Sequence, residues 1–296
     1  MAGPNYVFES HHRPGRYWTT EEKNRLRCEL RHVGDASLPF VPNYQCFSDS
    51  PAAFDNKIMV IAREGGPAGR IVAFVSCILL TVDGVGTVVH TGLTCVLPEK
   101  RRQGFQGQLF TRLHRLLCLR YPAGVWFTSV SSSLCSLVSL LLATSNVFPS
   151  PSVDEPQDTH RRIAKAISLH YRAELDIPED VVFDSERFVY HSSPDSLWYK
   201  DPTNKDYHHR NVALNDYYVR LLARVPGSEA LQVGFMDPAL YLKFGHASIK
   251  VGHASTAHTI LAFASDFNIL ASRIRSIFLP SEALWCGLRT IQSWFF

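Results

Sequence analysis

Residues 93–107, LTCVLPEKRRQGFQG, constrain this chain more than any other stretch. Strand-type residues over 86–96 run into Pro98. A basic turn rich in Arg, Gln and Gly follows, and a helical pattern opens at about Gly104. A strand that enters a helix through such a turn leaves backbone N–H groups unpaired at the helix N-terminus. With the helix dipole, those groups make a ready seat for a phosphate or pyrophosphate. Gly104 and Gly107 let a ligand approach the backbone closely. Lys100, Arg101 and Arg102 add positive charge at the same place.

Periodicity around this stretch gives the rest of the first half. Thr19 or Thr20 caps a helix running to about His32, with Glu21 and Glu22 in its first turn. Residues 58–62 and 71–82 are strands about the turn Glu64-Gly65-Gly66-Pro67, and Asp83-Gly84 signals a hairpin into the strand 86–96. From 104 to 120, Phe105, Leu109, Phe110, Leu113, Leu116 and Leu117 recur at helical steps. A strand over 125–130 follows. Three serines, 131–133, then precede an apolar helix over 134–143 that is too short to span a bilayer.

The order helix, three strands, helix, strand, helix resembles the core of the GCN5-related N-acetyltransferase (GNAT) superfamily. The turn resembles that family's acyl-CoA-binding segment, with Arg101-x-x-Gly104-x-Gln106 after Val96-Leu97-Pro98-Glu99. Gln106 stands where the family usually has Gly or Ala. The resemblance implies an α/β (α+β) fold with a mixed sheet, flanked by helices, whose fourth and fifth strands splay apart. Acyl-CoA would lie in the opening. It implies cofactor contacts from Cys95, Val96, Arg101, Arg102, Gln103, Gly104, Phe105, Gln106 and Gly107, with a backbone N–H at about Cys95 or Val96 facing the oxyanion. The family's usual Tyr on the helix after the fifth strand is absent; that helix reads SSSLCSLVSLLLATSNVF.

His90 is the candidate general base. It lies on the strand leading into the turn, where several family members keep His or Glu, and an unperturbed imidazole suits work near neutral pH. Thr91, Thr94, Phe127, Leu134, Leu137 and Leu141 are candidates for the substrate pocket, whose floor reads as apolar. The cluster Asp201, Asp206, His208, His209 and Asp216 reads as a solvated loop and helix start, and no zinc-type spacing occurs.

The expected organisation is an irregular arm over 1–17, the GNAT-like core over 18–150, an insertion that completes the sheet over 151–238, and a hydrophobic extension over 239–296. Within the third part, helices are expected over 160–174 and 211–224, and strands over 181–190, broken by Asp184-Ser185, and over 229–236. The extension carries Tyr241, Phe244, Trp285, Trp294, Phe295 and Phe296 with Asp266 and Glu282 as its only acids. It reads as a helical appendage on the core, a lid over an apolar pocket, or a membrane-surface segment. A net charge of +3 without a basic face gives no case for nucleic acid. Seven cysteines without motif spacing, and an N-terminus without an apolar signal region, point to reduced thiols in a cytoplasmic chain.

Two functions fit these features. One is an acyl-CoA-dependent acyltransferase acting on an amine or hydroxyl of a small molecule. The other is a member of the fold that has lost CoA use. It would fold a hydrophobic terpenoid or polyketide in an apolar cavity and promote cyclisation or a Diels–Alder-type cycloaddition by positioning alone. A non-catalytic interaction protein on the same fold is a third.

Overall fold

The structure is a computed structural model that describes residues 5–191 and 198–239. The chain divides into two units, Met1–Tyr241 and Leu242–Phe296, and every described residue lies in the first. The expectations for the C-terminal extension therefore fall outside the described residues, save residue 239.

One mixed nine-stranded sheet organises the unit. In chain order its strands and helices are β1 (Tyr6–His12), α1 (Thr20–Ser37), β2 (Lys57–Glu64), β3 (Arg70–Val82), β4 (Gly86–Val96), α2 (Phe105–Arg120), β5 (Val125–Ser131), α3 (Leu134–Ala143), β6 (Ser145–Phe148), α4 (Asp158–His170), β7 (Val182–Asp184), β8 (Val189–His191), α5 (Val212–Leu222) and β9 (Ser228–Met236). Across the sheet the order is β1-β2-β3-β4-β5-β9-β8-β7, with β6 also paired to β9. All pairings are antiparallel except β4 with β5. This is the mixed, splayed sheet flanked by helices that the GNAT resemblance implies.

Local chemistry accounts for the elements that position the site. Thr19 and Glu22 form a reciprocal capping box: the Thr19 hydroxyl accepts from the Glu22 N–H at 3.2 Å, and the Glu22 carboxylate accepts from the Thr19 N–H at 2.7 Å. Such a cap contributes about 1 kcal/mol. In α2, Phe105, Leu109, Leu113 and Leu117 bury one stripe. They face the sheet while Gln106, Gly107 and Gln108 stay exposed.

Three differences from the sequence reading stand out. Residues 6–12 are not an irregular arm but the edge strand β1, antiparallel to β2. Glu9 there accepts from Arg63 of β2 at 2.9 Å, and Arg63 also reaches Glu29 of α1 at 2.6 Å. An ion-pair cluster thus ties the edge to the sheet and to a helix. The four-residue β6 is an added strand. The segment 181–190, expected as a strand broken at Asp184-Ser185, is a hairpin, β7 and β8, turning at that break, where the Asp184 carboxylate accepts from the backbone N–H groups of Glu186 and Arg187 at 3.0 Å.

Candidate active site

The site begins where β4 and β5 part. They pair in parallel only from Val88↔Trp126 to Thr91↔Ser129, although β4 continues to Val96 and β5 to Ser131. Two clasps sit at the fork: the His90 Nδ1 and Thr128 Oγ1 lie 2.9 Å apart, and the Thr91 hydroxyl donates to the Thr128 carbonyl at 3.0 Å. Beyond Thr91 the β5-facing edge of β4 has no strand beside it among the described residues. The cause is a bulge. Opposite β3, Cys77 pairs Thr91 but Val75 pairs Thr94, so Gly92 and Leu93 together face Ser76. An extra residue on one strand bends it and increases its twist, turning β4 away from β5.

Backbone N–H groups alternate in direction along a strand. The Leu97 N–H donates to Val72 of β3 at 2.9 Å, so the Val96 N–H points to the open side and that of Cys95 points to β3. The Val96 carbonyl also faces away from β3, where it accepts from the Ser37 hydroxyl at 3.2 Å. Of the two positions expected to face an oxyanion, the alternation selects Val96, with Thr94 beside it. The Cys95 thiol is buried, and burial pushes it up to about 12.

After β4 the chain makes a short turn over Pro98–Lys100 and enters α2 through Arg102 (φ 63°) and Gly104 (φ 77°). The first helical bond of α2 runs from Gln108 N–H to the Gly104 carbonyl at 3.1 Å. The amides of Phe105, Gln106 and Gly107 precede it and have no acceptor within the helix. A Cβ placed on Gly104 or on Gly107 would meet nothing within 4 Å, so open space lies over both.

The basic side chains behave differently from one another. The Lys100 ammonium is held by the Glu64 carboxylate and donates to the Tyr6 hydroxyl at 3.1 Å, which raises its pKa and spends its charge on the β1–β2 side. Lys100 also lines the cavity beside Arg101 and Arg102, with its charge already partnered by Glu64. Arg101 donates to the Ser37 carbonyl at 3.2 Å, and Gln103 donates to the Glu99 carbonyl at 3.0 Å. Both brace the turn, while Arg102 lies exposed in it.

A cavity of about 1540 Å³ joins these features. It runs from Arg101, Arg102 and residues 104–107 through the fork to Tyr44, Asp176, Tyr190, Trp198 and Glu229. The sheet's pleat assigns its two sides. Phe127 packs on His114 of α2, ring centroids 6.1 Å apart, so Thr128 points to the opposite face. His90 shares the Thr128 face. The register Thr128↔Val233, Val130↔Leu231 and Tyr190↔Glu229 places Glu229 and Tyr190 there too. On that face Tyr44 and Trp198 lie 5.7 Å apart, and the Trp198 indole donates to Asp176 at 2.7 Å.

The structure brings His90, Thr91, Thr94, Cys95, Val96, Phe127 and the turn residues other than Gln103, whose amide is turned to the Glu99 carbonyl, to one cavity but excludes part of the expected floor. Leu134 and Leu137 are fully buried on the other side of α3, against Val189, Tyr218 and Leu222. Leu141 is half-buried beside the cores. The cavity face of α3 is Ser133, Cys135, Ser136, Ser139 and Ala143, with Leu140. The α3 wall therefore mixes the hydroxyls of Ser133, Ser136 and Ser139 with the apolar Cys135, Leu140 and Ala143. The serine spacing 133, 136, 139 was readable as a helical stripe; Tyr44, Asp176, Trp198 and Glu229 carried no motif.

His90 is 2% exposed, and burial pushes its imidazole down to about 3. His114, across the sheet, is likewise lowered by burial, to about 4. Both rings are neutral at physiological pH. Among the described residues no group of three or more His, Cys, Asp or Glu is placed to hold a metal, and no helix is long and apolar enough to cross a membrane.

No protein-family model and no curated protein matches the chain. Among solved structures it is similar to the aminoglycoside N-acetyltransferase AAC(6')-Iy in complex with CoA, at 16% identity over 47% of this chain and 86% of that one, TM-score 0.31. It is similar to Arabidopsis thaliana NAA60 in complex with a bisubstrate analogue, at 16% identity over 47% and 80%, TM-score 0.30. A GNAT family acetyltransferase from Brucella melitensis in complex with acetyl-CoA is similar at 16% identity over 41% and 75%, TM-score 0.29. Scores this low carry no weight for substrate or mechanism. The chain's own parallel β4–β5 pair, its fork and the turn into α2 carry the reading that follows.

Proposed function

We propose that the protein is an acyl-CoA-dependent acyltransferase whose acceptor is an amine or hydroxyl of a small molecule. One observation supports this most: a single cavity connects unpaired amides at a helix N-terminus, an open strand edge and a separate polar compartment across the sheet. Acyl transfer needs those three parts, to hold an anionic carrier, receive a carbonyl oxygen and admit an acceptor.

The residues fit the carrier. The open space over Gly104 and Gly107 leaves the amides of Phe105, Gln106 and Gly107 accessible to a pyrophosphate, with Arg102 adding charge. The small side chains of Ser133, Ser136 and Ser139 leave a groove across from Phe110 and His114 for a slender arm. Acyl-CoA, when bound, supplies an activated thioester carbonyl at the fork. The Val96 and Thr94 amides face that point and stabilise charge developing on its oxygen. A new bond forms from the acceptor nitrogen or oxygen to the acyl carbon while the carbon–sulfur bond breaks. The acceptor's proton leaves to solvent, and the sulfur regains one from solvent.

His90 acts on the acceptor face as a neutral hydrogen-bonding group that orients the acceptor. A general base works best with a pKa near the operating pH, and burial holds His90 far below it. The acceptor amine therefore arrives already deprotonated. The cofactor-free cyclase reading draws on the absent Tyr, on Gln106 and on the aromatic C-terminal segment, and that segment lies outside the described residues; serines 133, 136 and 139 on the α3 wall suit it less well than a wholly apolar wall would.

The test is thiol release from acetyl-CoA with a panel of small primary amines and alcohols. Release that saturates with one acceptor class supports the proposal. Turnover of a hydrophobic substrate that ignores acetyl-CoA overturns it.

A further inference from the structure

The bulge that opens β4 is held by a residue outside the cavity. Gln45 begins a short turn, Gln45–Phe47, between α1 and β2. Its φ is 55°, in the left-handed region that side-chain-bearing residues rarely adopt, and it is 5% exposed. Such strain persists only where the surroundings enforce it. Here the side-chain amide is fixed at both ends. Its Oε1 accepts from the Ser76 hydroxyl at 2.9 Å, and its Nε2 donates to the Tyr44 hydroxyl at 3.3 Å.

Ser76 is the β3 residue opposite the bulge, and Gly92 is in the bulge. A Cβ built on Gly92 would lie 1.6 Å from the Gln45 Nε2 and 2.3 Å from its Cδ. The Gln45 amide thus occupies the volume that a side chain at position 92 would take. Residue 92 is glycine because of this contact: the left-handed backbone that would demand glycine on its own is absent there.

We propose that Gln45 is a positioning residue: wedged against Gly92, its amide sets the β4 bulge and so aims the Thr94 and Val96 amides into the opening. Resting on the acyltransferase reading for its chemical consequence, the wedge itself stands on packing alone. The same side chain braces Tyr44, which lines the acceptor compartment, so one amide links the carbonyl seat and the acceptor wall.

The experiment is a double-mutant cycle on the full chain: Gln45→Ala, Gly92→Ala and the pair, each assayed by urea unfolding, CoA calorimetry and acetyl-CoA thiol release. Gly92→Ala forces the amide out and should destabilise the wild-type background. It should cost much less in the Gln45→Ala background, a clear non-additivity for residues in contact. Additive losses would overturn the wedge whatever the protein catalyses. If Gln45→Ala fails to fold, Gln45→Asn, one methylene shorter, takes its place. In Gln45→Ala, CoA affinity should stay within about twofold because the turn at Arg102–Gly107 is untouched, while turnover falls about tenfold or more. The backbone amide NMR shifts of Thr94 and Val96 should move with it. Unchanged turnover and unmoved amides would reject the positioning role; loss of CoA binding and turnover together would mark Gln45 as merely structural. Wild-type protein inert toward CoA would instead sink the acyltransferase reading and leave the cycle interpretable.

Discussion

At the scale of single residues, His90 separates two chemistries that a sequence cannot. Its place on β4 was readable; its burial and its bond to Thr128 were not. Because folding lowers its pKa to about 3, the unfolded chain binds more protons than the native one between there and about 6.5. Stability is therefore complete above about pH 6.5 and falls as pH drops below it, with His114 acting in the same sense between about 6.5 and 4. In urea titrations, His90→Asn should lose less stability between pH 7 and pH 5 than the wild type; equal losses would show that His90 titrates normally. In turnover, His90→Ala should lower the rate roughly 10²-fold by misplacing the acceptor. It should leave the alkaline-rising limb of the pH profile in place, and that limb should follow the acceptor's own pKa when the acceptor is changed. A limb that vanishes with the imidazole would restore His90 as the general base. Gly104, with φ 77° and open space over it, makes a third case. Gly104→Val should cost on the order of 1–3 kcal/mol from backbone strain. It should also remove the CoA-dependent thermal shift by filling the cradle; a retained shift would move the phosphate site elsewhere.

Among the elements, α3 shows most clearly what pattern reading misses. Its bounds, Leu134–Ala143, follow the expected end of the serine run and the apolar run, although Ser133 at the N-cap makes no side-chain capping bond. Its functional face does not, because a helix so rich in Leu, Val and Ala reads as buried all round. The structure turns Leu134 and Leu137 toward α5 and leaves the serines to the cavity. Two substitutions should separate the faces. Leu137→Ala should cost about 2–5 kcal/mol of stability with CoA affinity kept. Ser139→Phe, at an exposed position, should change stability by under about 0.5 kcal/mol while weakening CoA at least tenfold. Calorimetry beside urea unfolding reads both, and the reverse pattern would put the leucines back on the floor. The strand β1 was illegible for a different reason. In YVFESHH only Tyr6 and Phe8 mark an alternation, and Glu9, besides its contact with His11, pairs with Arg63 far along the chain.

For the whole molecule, the local period of each element made the order of β2, β3, β4, α2, β5 and α3 readable, and the turn into α2 made one end of the site readable with them. The other end was not. Tyr44, Asp176, Trp198 and Glu229 come from segments that meet only through the topology, with β9 inserted beside β5. Gln45 likewise acquires a role only when its turn reaches the β4 bulge. What unites these pieces is the continuity of the cavity through the fork. The most direct measurement is calorimetric titration of the wild-type chain with CoA and with acetyl-CoA, paired with thermal unfolding. Saturable one-to-one binding is expected, with the fold stabilised by about 2.7 kcal/mol at 100 times the dissociation constant. No heat and no stabilisation at millimolar ligand would contradict a site for acyl-CoA at the parted end of β4 and β5.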